Sequence, residues 1–289
     1  MRGAWCWMAV ATLAVLPVHA QGDDLAEVPV NAFEAGGKVY MLQGAGGNIA
    51  ASVGGDGVLI VDDEFAPLAP KILAKIAQIG PGKLRLVLNT HWHGDHVGSN
   101  GVFGKDATIV AQENVRKRMQ AGNAHTPPAS PEALPILTFE HDVTIHFNGE
   151  EIQVVHLPAG HTDGDSVVWF TGSNVVHAGD LFFAGHFPFV DLDSGGSVDG
   201  LIAAVDAVLA KLPEGAKIIP GHGPLSARKD LEAYRAMLVD SRDLVRAWKK
   251  RGLTLEQAKG EGMPDKYASF AWEYMSAEGW IDTLWQSVR

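Results

Sequence analysis

Short apolar runs at residues 39–42 and 48–53 predict two strands, separated by the glycine-rich turn Gly44-Ala45-Gly46-Gly47. After a second glycine turn, residues 58–61 are apolar without alternation, as in a strand covered on both faces, and the run ends on Asp62-Asp63. Residues 68–79 carry a helical period and stop at Gly80-Pro81-Gly82. Another apolar run at 84–88 leads directly into Asn89-Thr90-His91. A helix is expected over 112–120, and the proline-rich stretch 122–135 reads as a surface loop. Strands are expected again at 143–147, 152–156, 166–170 and 175–177, then a helix at 198–212 and a strand at 217–219. From about 226 to 289 the pattern is helical, with amphipathic stretches at 230–250 and 255–260. Trp272, Trp280 and Trp285 lie in this segment and are expected to pack a terminal helix. Strands alternating with helices imply an α/β fold, whose chemistry sits at strand ends.

With 289 residues, 46% of them hydrophobic and 20% charged, the chain has the composition of a globular protein with a sizeable core. Residues 1–20 stand apart. Arg2 precedes an apolar run over 4–16 that is too short to span a bilayer, and Pro17 and Ala20 close it. This is the pattern of a secretory signal, leaving 21–289 as one domain, exported and periplasmic. The single cysteine, Cys6, falls inside the leader, so no disulfide or thiolate ligand is expected in the domain. A net charge of −11 disfavours nucleic acid as a partner, and no later apolar run suits a membrane. The expected partner is a small-molecule substrate; nothing in the sequence sets an oligomeric state.

The densest chemistry is His91-Trp92-His93-Gly94-Asp95-His96, which places three of the chain's 12 histidines and an aspartate within six residues after a buried strand. In an extended segment His91 and His93 project the same way. Gly94 lets the chain turn, so that Asp95 and His96 face a second point. Four such donors exceed the needs of one tetrahedral zinc with an open position and suit two metals. Further donors follow beside glycines: Gly160-His161-Thr162, Gly179-Asp180 and Gly221-His222.

In this order, the residues resemble the metallo-β-lactamase superfamily pattern His-x-His-x-Asp-His, Gly-His-Thr, Gly-Asp and Gly-His. The resemblance runs from about residue 39 to 223. It implies a four-layer αβ/βα sandwich with metals at one edge. His91, His93 and His161 would hold one zinc; Asp95, His96 and His222 would hold the other; Asp180 would bridge them. Two Zn²⁺ per chain are expected, with iron or manganese as alternatives because Asp95 and Asp180 add oxygen donors. Asp95 would also orient a metal-bridging hydroxide and carry its proton. Asp62 and His177 are expected to support the ligands. Trp92 and His186 are candidates for the pocket wall. Ser194-Gly195-Gly196-Ser197 is either a donor loop for an anionic substrate or a helix start capped by Ser197.

Three functions compete. The first is a zinc hydrolase that opens a cyclic amide or ester, β-lactamase-like as the leading reading. It draws on export and His96, while Asp180 and the absence of a lysine in 181–185 depart from that pattern. The second is a lactonase or a glyoxalase II-like thioesterase, which Asp180 suits. The third is a non-catalytic metal-binding protein, which the complete donor set opposes.

Overall fold

The computed structural model describes residues 25, 27–124 and 126–288. The leader read at 1–20 and His125, expected to be structural or exposed, lie outside the described residues.

Among the described residues, thirteen strands form two sheets. The first runs in the order β1 (Asn31–Gly36), β2 (Val39–Gln43), β3 (Ile49–Gly54), β4 (Gly57–Val61), β5 (Leu84–Asn89), β6 (Thr108–Gln112) and β7 (Leu137–Phe139). Its first four strands are an antiparallel meander, and β4 to β7 are parallel. The second sheet contains β8 (Asp142–Phe147), β9 (Glu150–His156), β10 (Ser166–Phe170), β11 (Val175–Phe183), β12 (Lys217–His222) and β13 (Ser226–Ala227), in the order β13-β12-β11-β10-β9-β8. Only β11 and β12 pair in parallel there, and the helix Val198–Lys211 makes the crossover between them.

One core lies between the sheets. Met41, Ala50, Leu59, Val61 and Leu88 from the first meet Ile152, Val154, Val168, Phe170 and Ile219 from the second. Helix Ala69–Ile79 covers the outer face of the first sheet through Ile72 and Ile76. Helices Val198–Lys211, Arg228–Lys250 and Ala277–Ser287 cover the outer face of the second. The four-layer αβ/βα sandwich is therefore present. The long helix buries Leu231, Tyr234, Leu238, Ser241, Val245 and Trp248, a three-to-four-residue spacing that makes one inward stripe.

Three departures from the sequence pattern matter. Edge strands β1 and β7 expose one side, so neither shows a continuous apolar run. β6 is short and buried. β11 does not stop at His177 but continues to Phe183. Gly179 has φ +52° there, and the pairing register shifts on both sides of it. This bulge reads as a turn in the sequence, yet it keeps the strand going and turns Asp180 toward the other sheet. No described helix is long and apolar enough to cross a membrane.

Candidate metal centre

Four segments converge at one edge of the sandwich. His91 and His93 are extended beyond β5, and His93 leads into the one-turn helix Gly94–Val97, which carries Asp95 and His96. His161 lies in the turn after β9; Asp180 is in β11, and His222 ends β12. Their donor atoms form two groups, His91–His93–His161–Asp180 and Asp95–His96–His222. Asp180 spans them: Oδ2 lies 3.7 Å from His91 Nε2, 3.5 Å from His161 Nε2 and 3.5 Å from His222 Nε2, and Oδ1 lies 3.1 Å from His96 Nε2. Asp95 Oδ2 is 3.2 Å from His222 Nε2. The seven donors anticipated from sequence are thus brought together.

Hydrogen bonds on the far side of the rings fix which nitrogen each presents. His93 Nε2 donates to Asp191 Oδ2 at 2.9 Å, leaving Nδ1 bare. His161 Nδ1 donates to the Phe189 carbonyl at 2.8 Å, leaving Nε2 bare. Thr90 Oγ1 gives its proton to Asp62 Oδ2, so His91 Nδ1 is the donor in their 3.0 Å contact and its Nε2 is bare. His96 Nδ1 donates to Asp62 Oδ2 at 2.7 Å. The bare His161 Nε2 and His93 Nδ1 face each other at 2.8 Å. His91 Nε2, His96 Nε2 and Asp180 Oδ1 are buried without a hydrogen-bond partner. Lone pairs aimed together in a buried space repel unless a cation lies among them, so this donor set fits divalent metal.

The charges agree. Burial opposes ionisation of Asp180, but His96, His222 and His91 hold its carboxyl well below the usual range. Burial likewise works against Asp95, and His96 and His222 bring it down to about 2. Burial disfavours charge on His96 and His222, yet the facing carboxylates push both above the usual histidine range, His222 to about 9. Burial lowers His91, and it takes His161 to about 4. The centre is built to hold positive charge. Two glycines allow the crowding: a Cβ on Gly47 would collide with the His96 ring, and one on Gly221 with Asp180 Oδ1.

The supporting residues divide. Asp62, fully buried at φ +62°, accepts from His96 and from Thr90 N and Oγ1. His177 bonds the Asn48 carbonyl and Gly179 N, not a ligand side chain. It ties β3 to the bulge beside Asp180. Trp92 is not in the pocket wall; it is buried beneath the metal loop with Val97, Val115 and Met119. His186 is also outside the wall, packed 4.9 Å from Trp272. Ser197 caps Gly200 N, and Gly195 N and Gly196 N bond the carbonyls of Leu192 and Asp191, so that loop is a helix start and not a donor site. His141 and His146 are exposed, and His156 is half-buried.

The pocket before the donors holds about 430 Å³ and is walled by Ala45, Phe65, Phe183, Phe189, Trp272 and Tyr274. Asp191, Phe65, Phe183, Phe189 and Tyr274 were not singled out from sequence, and Trp272, expected to pack a terminal helix, lines this pocket instead. They reach the site from distant stretches without a fixed spacing to the ligands.

An αβ/βα sandwich with two histidine–carboxylate donor sets meeting at one aspartate defines a metallo-hydrolase. Residues 46–222 match the family described as the metallo-beta-lactamase superfamily, and the chain belongs to it. It is 24% identical over 152 residues to a metallo-beta-lactamase type 2 of Bacteroides fragilis, covering 52% of this chain and 57% of that protein. It is 27% identical over 155 residues to a hydroxyacylglutathione hydrolase of Synechococcus sp., covering 54% and 55%. The chain thus matches little more than half the length of these curated relatives. The sec-alkylsulfatase Pisa1 from Pseudomonas sp. superposes with a TM-score of 0.69 at 17% identity, covering 89% of this chain and 50% of that one; this likeness concerns the fold alone.

Proposed function

We infer that the protein is an exported, dinuclear zinc hydrolase that opens a cyclic amide or ester. The observation carrying this reading is the convergence of two histidine–carboxylate ligand sets on Asp180 in front of an open pocket. His91, His93 and His161 would hold one ion, Asp95, His96 and His222 the other, and Asp180 both. Bound there, zinc would supply Lewis acidity, acidifying water and stabilising an oxyanion.

The chain's own groups do the rest. Asp95 is ionised and stands at the pocket surface, where Oδ2 orients the attacking water and accepts its proton. The water oxygen joins the acyl carbon as the bond to the leaving nitrogen or oxygen breaks, and the proton held by Asp95 passes to that leaving atom. Phe183, Phe189 and Trp272 wall the pocket beside these groups with apolar surface. No serine or cysteine nucleophile is required. β-Lactams and lactones both fit this chemistry, and the relative described as a hydroxyacylglutathione hydrolase keeps a thioester in view.

The test is metal analysis with paired assays on nitrocefin, a lactone and S-lactoylglutathione. The expected result is about two zinc ions per chain, activity on nitrocefin or the lactone that chelation abolishes, and loss of turnover in His91→Ala and Asp95→Asn. Full activity in either variant overturns the mechanism, and hydrolysis of the glutathione thioester alone overturns the substrate reading. Export through residues 1–20 is part of the proposal; N-terminal sequencing of protein recovered outside the cytoplasm should begin after Ala20.

A further inference from the structure

The pocket wall is aromatic over both donor groups. The Phe189 ring lies 5.7 Å from His93 and 5.9 Å from His161. On the other side Trp272 lies 5.6 Å from His222 and 6.0 Å from Phe183. Tyr274 extends this second wall outward, 5.0 Å from Trp272 and edge-on to it. Phe189 and Tyr274 are 47% and 72% exposed, so two large aromatic faces stand in water at the pocket mouth. The wall is held in place without a ligand. Trp272 Nε1 donates to the Phe187 carbonyl at 2.9 Å, and the backbones of Trp272 and Met275 pair as a bridge.

Charge narrows what this wall accepts. Among the described residues lining the pocket there is no lysine or arginine; its charged groups are the candidate metal ligands His93, Asp95, Asp180 and His222. A carboxylate carried away from the metals would lose water against ring faces that are themselves electronegative, with no cation to replace it. An alkyl or aryl group there gains by leaving water. Trp272 and Tyr274 also lie beyond residues 46–222, so this surface is supplied by the chain outside the family match.

We propose that Trp272 and Tyr274 form a specificity surface selecting substrates whose substituent at the pocket mouth is apolar and uncharged. The proposal rests on the hydrolase reading for the reaction but not for the binding preference. The matched probes are γ-butyrolactone, its γ-hexyl derivative and its γ-carboxylate for turnover by the zinc-loaded protein. The corresponding 2-pyrrolidones, which need not react, serve for calorimetric binding.

The hexyl compound should lead each series by about tenfold or more over the unsubstituted ring, with the carboxylate last. Trp272→Ala should reduce the hexyl-to-unsubstituted ratio about tenfold at unchanged zinc content. Tyr274→Ala, at an exposed position, should move the same ratio in the same direction and guards against misfolding of the first variant. Equal affinity for the three pyrrolidones, preference for the carboxylate, or a ratio unmoved by both variants overturns the surface. No turnover of any lactone or of nitrocefin, with the hexyl pyrrolidone still bound best, overturns the hydrolase reading and upholds the surface.

Discussion

His93 presents Nδ1 to the centre because Asp191 holds its Nε2. Burial works against the Asp191 charge, but the bond from His93 and the donors of Ser194 keep its carboxyl well below the usual range. The carboxylate therefore selects the tautomer and the ring angle together, although it is absent from the donor groups around the centre. Asp191→Ala frees the ring to turn and to move its proton to Nδ1. Zinc affinity at the His91–His93–His161 subsite should fall roughly 10–100-fold, read by competition with a chromophoric chelator. Asp191→Asn keeps an acceptor oxygen and should recover much of the loss. Two ions held as tightly in Asp191→Ala as in the parent would sink this account of His93.

The segment bearing Trp272 and Tyr274 is tied to the long helix by Asp240, which accepts from Lys266 Nζ at 2.6 Å and Tyr267 OH at 2.7 Å. These bonds lower the Asp240 carboxyl from its ordinary 3.8, the Lys266 bond most. A depressed carboxyl stabilises the fold above its unfolded value and loses that contribution as pH falls through the folded one. The tether should thus be intact at neutral pH and released in acid. Its ion pair between Lys266 and Asp240 is exposed and screened by solvent, so its contribution to stability is small. Hydrogen exchange over 265–275 should speed up below the carboxyl range, and Asp240→Asn should produce the same change at pH 7. Exchange that is identical in the variant would remove the tether from the account.

The same segment shows where sequence reading stops. His91 to His96 could be read because their geometry is local: alternate positions point together, and a glycine then turns the chain. His161, Asp180 and His222 each stand beside a glycine near the end of an apolar run, a weak mark taken singly, and it was the resemblance to the superfamily pattern that implied their roles. Asp191 carries no such mark and meets His93 across 98 positions of chain. The tryptophans look alike in sequence, yet Trp280 is fully buried behind the second sheet while Trp272 turns to the pocket. Tertiary packing separates them, and hydrophobicity alone does not encode that choice.

The two sheets share the centre, and this couples metal to stability. His91, His93, Asp95 and His96 follow strand β5 of the first sheet; Asp180 and His222 belong to the second, and His161 follows its strand β9. Beside the apolar layer and the hydrogen bonds of Asn148 to Ser52 and Gly57 and of Asn48 to Pro220 and Gly223, this cluster is a further place where the sheets meet, and it holds buried nitrogen and carboxylate atoms without hydrogen-bond partners. Cations at that point would bridge the halves and bind the folded chain far better than the unfolded one. With free zinc at about a thousand times its dissociation constant, linkage gives roughly 4 kcal/mol per site, which for a domain of this size raises Tm on the order of 10 °C. Scanning calorimetry with and without a chelator should show that difference, and it should return when zinc is restored. The gain should be smaller in Asp180→Asn, where the carboxylate facing both donor groups has lost its charge. A Tm indifferent to chelator in the parent protein would mean that this centre does not bind zinc.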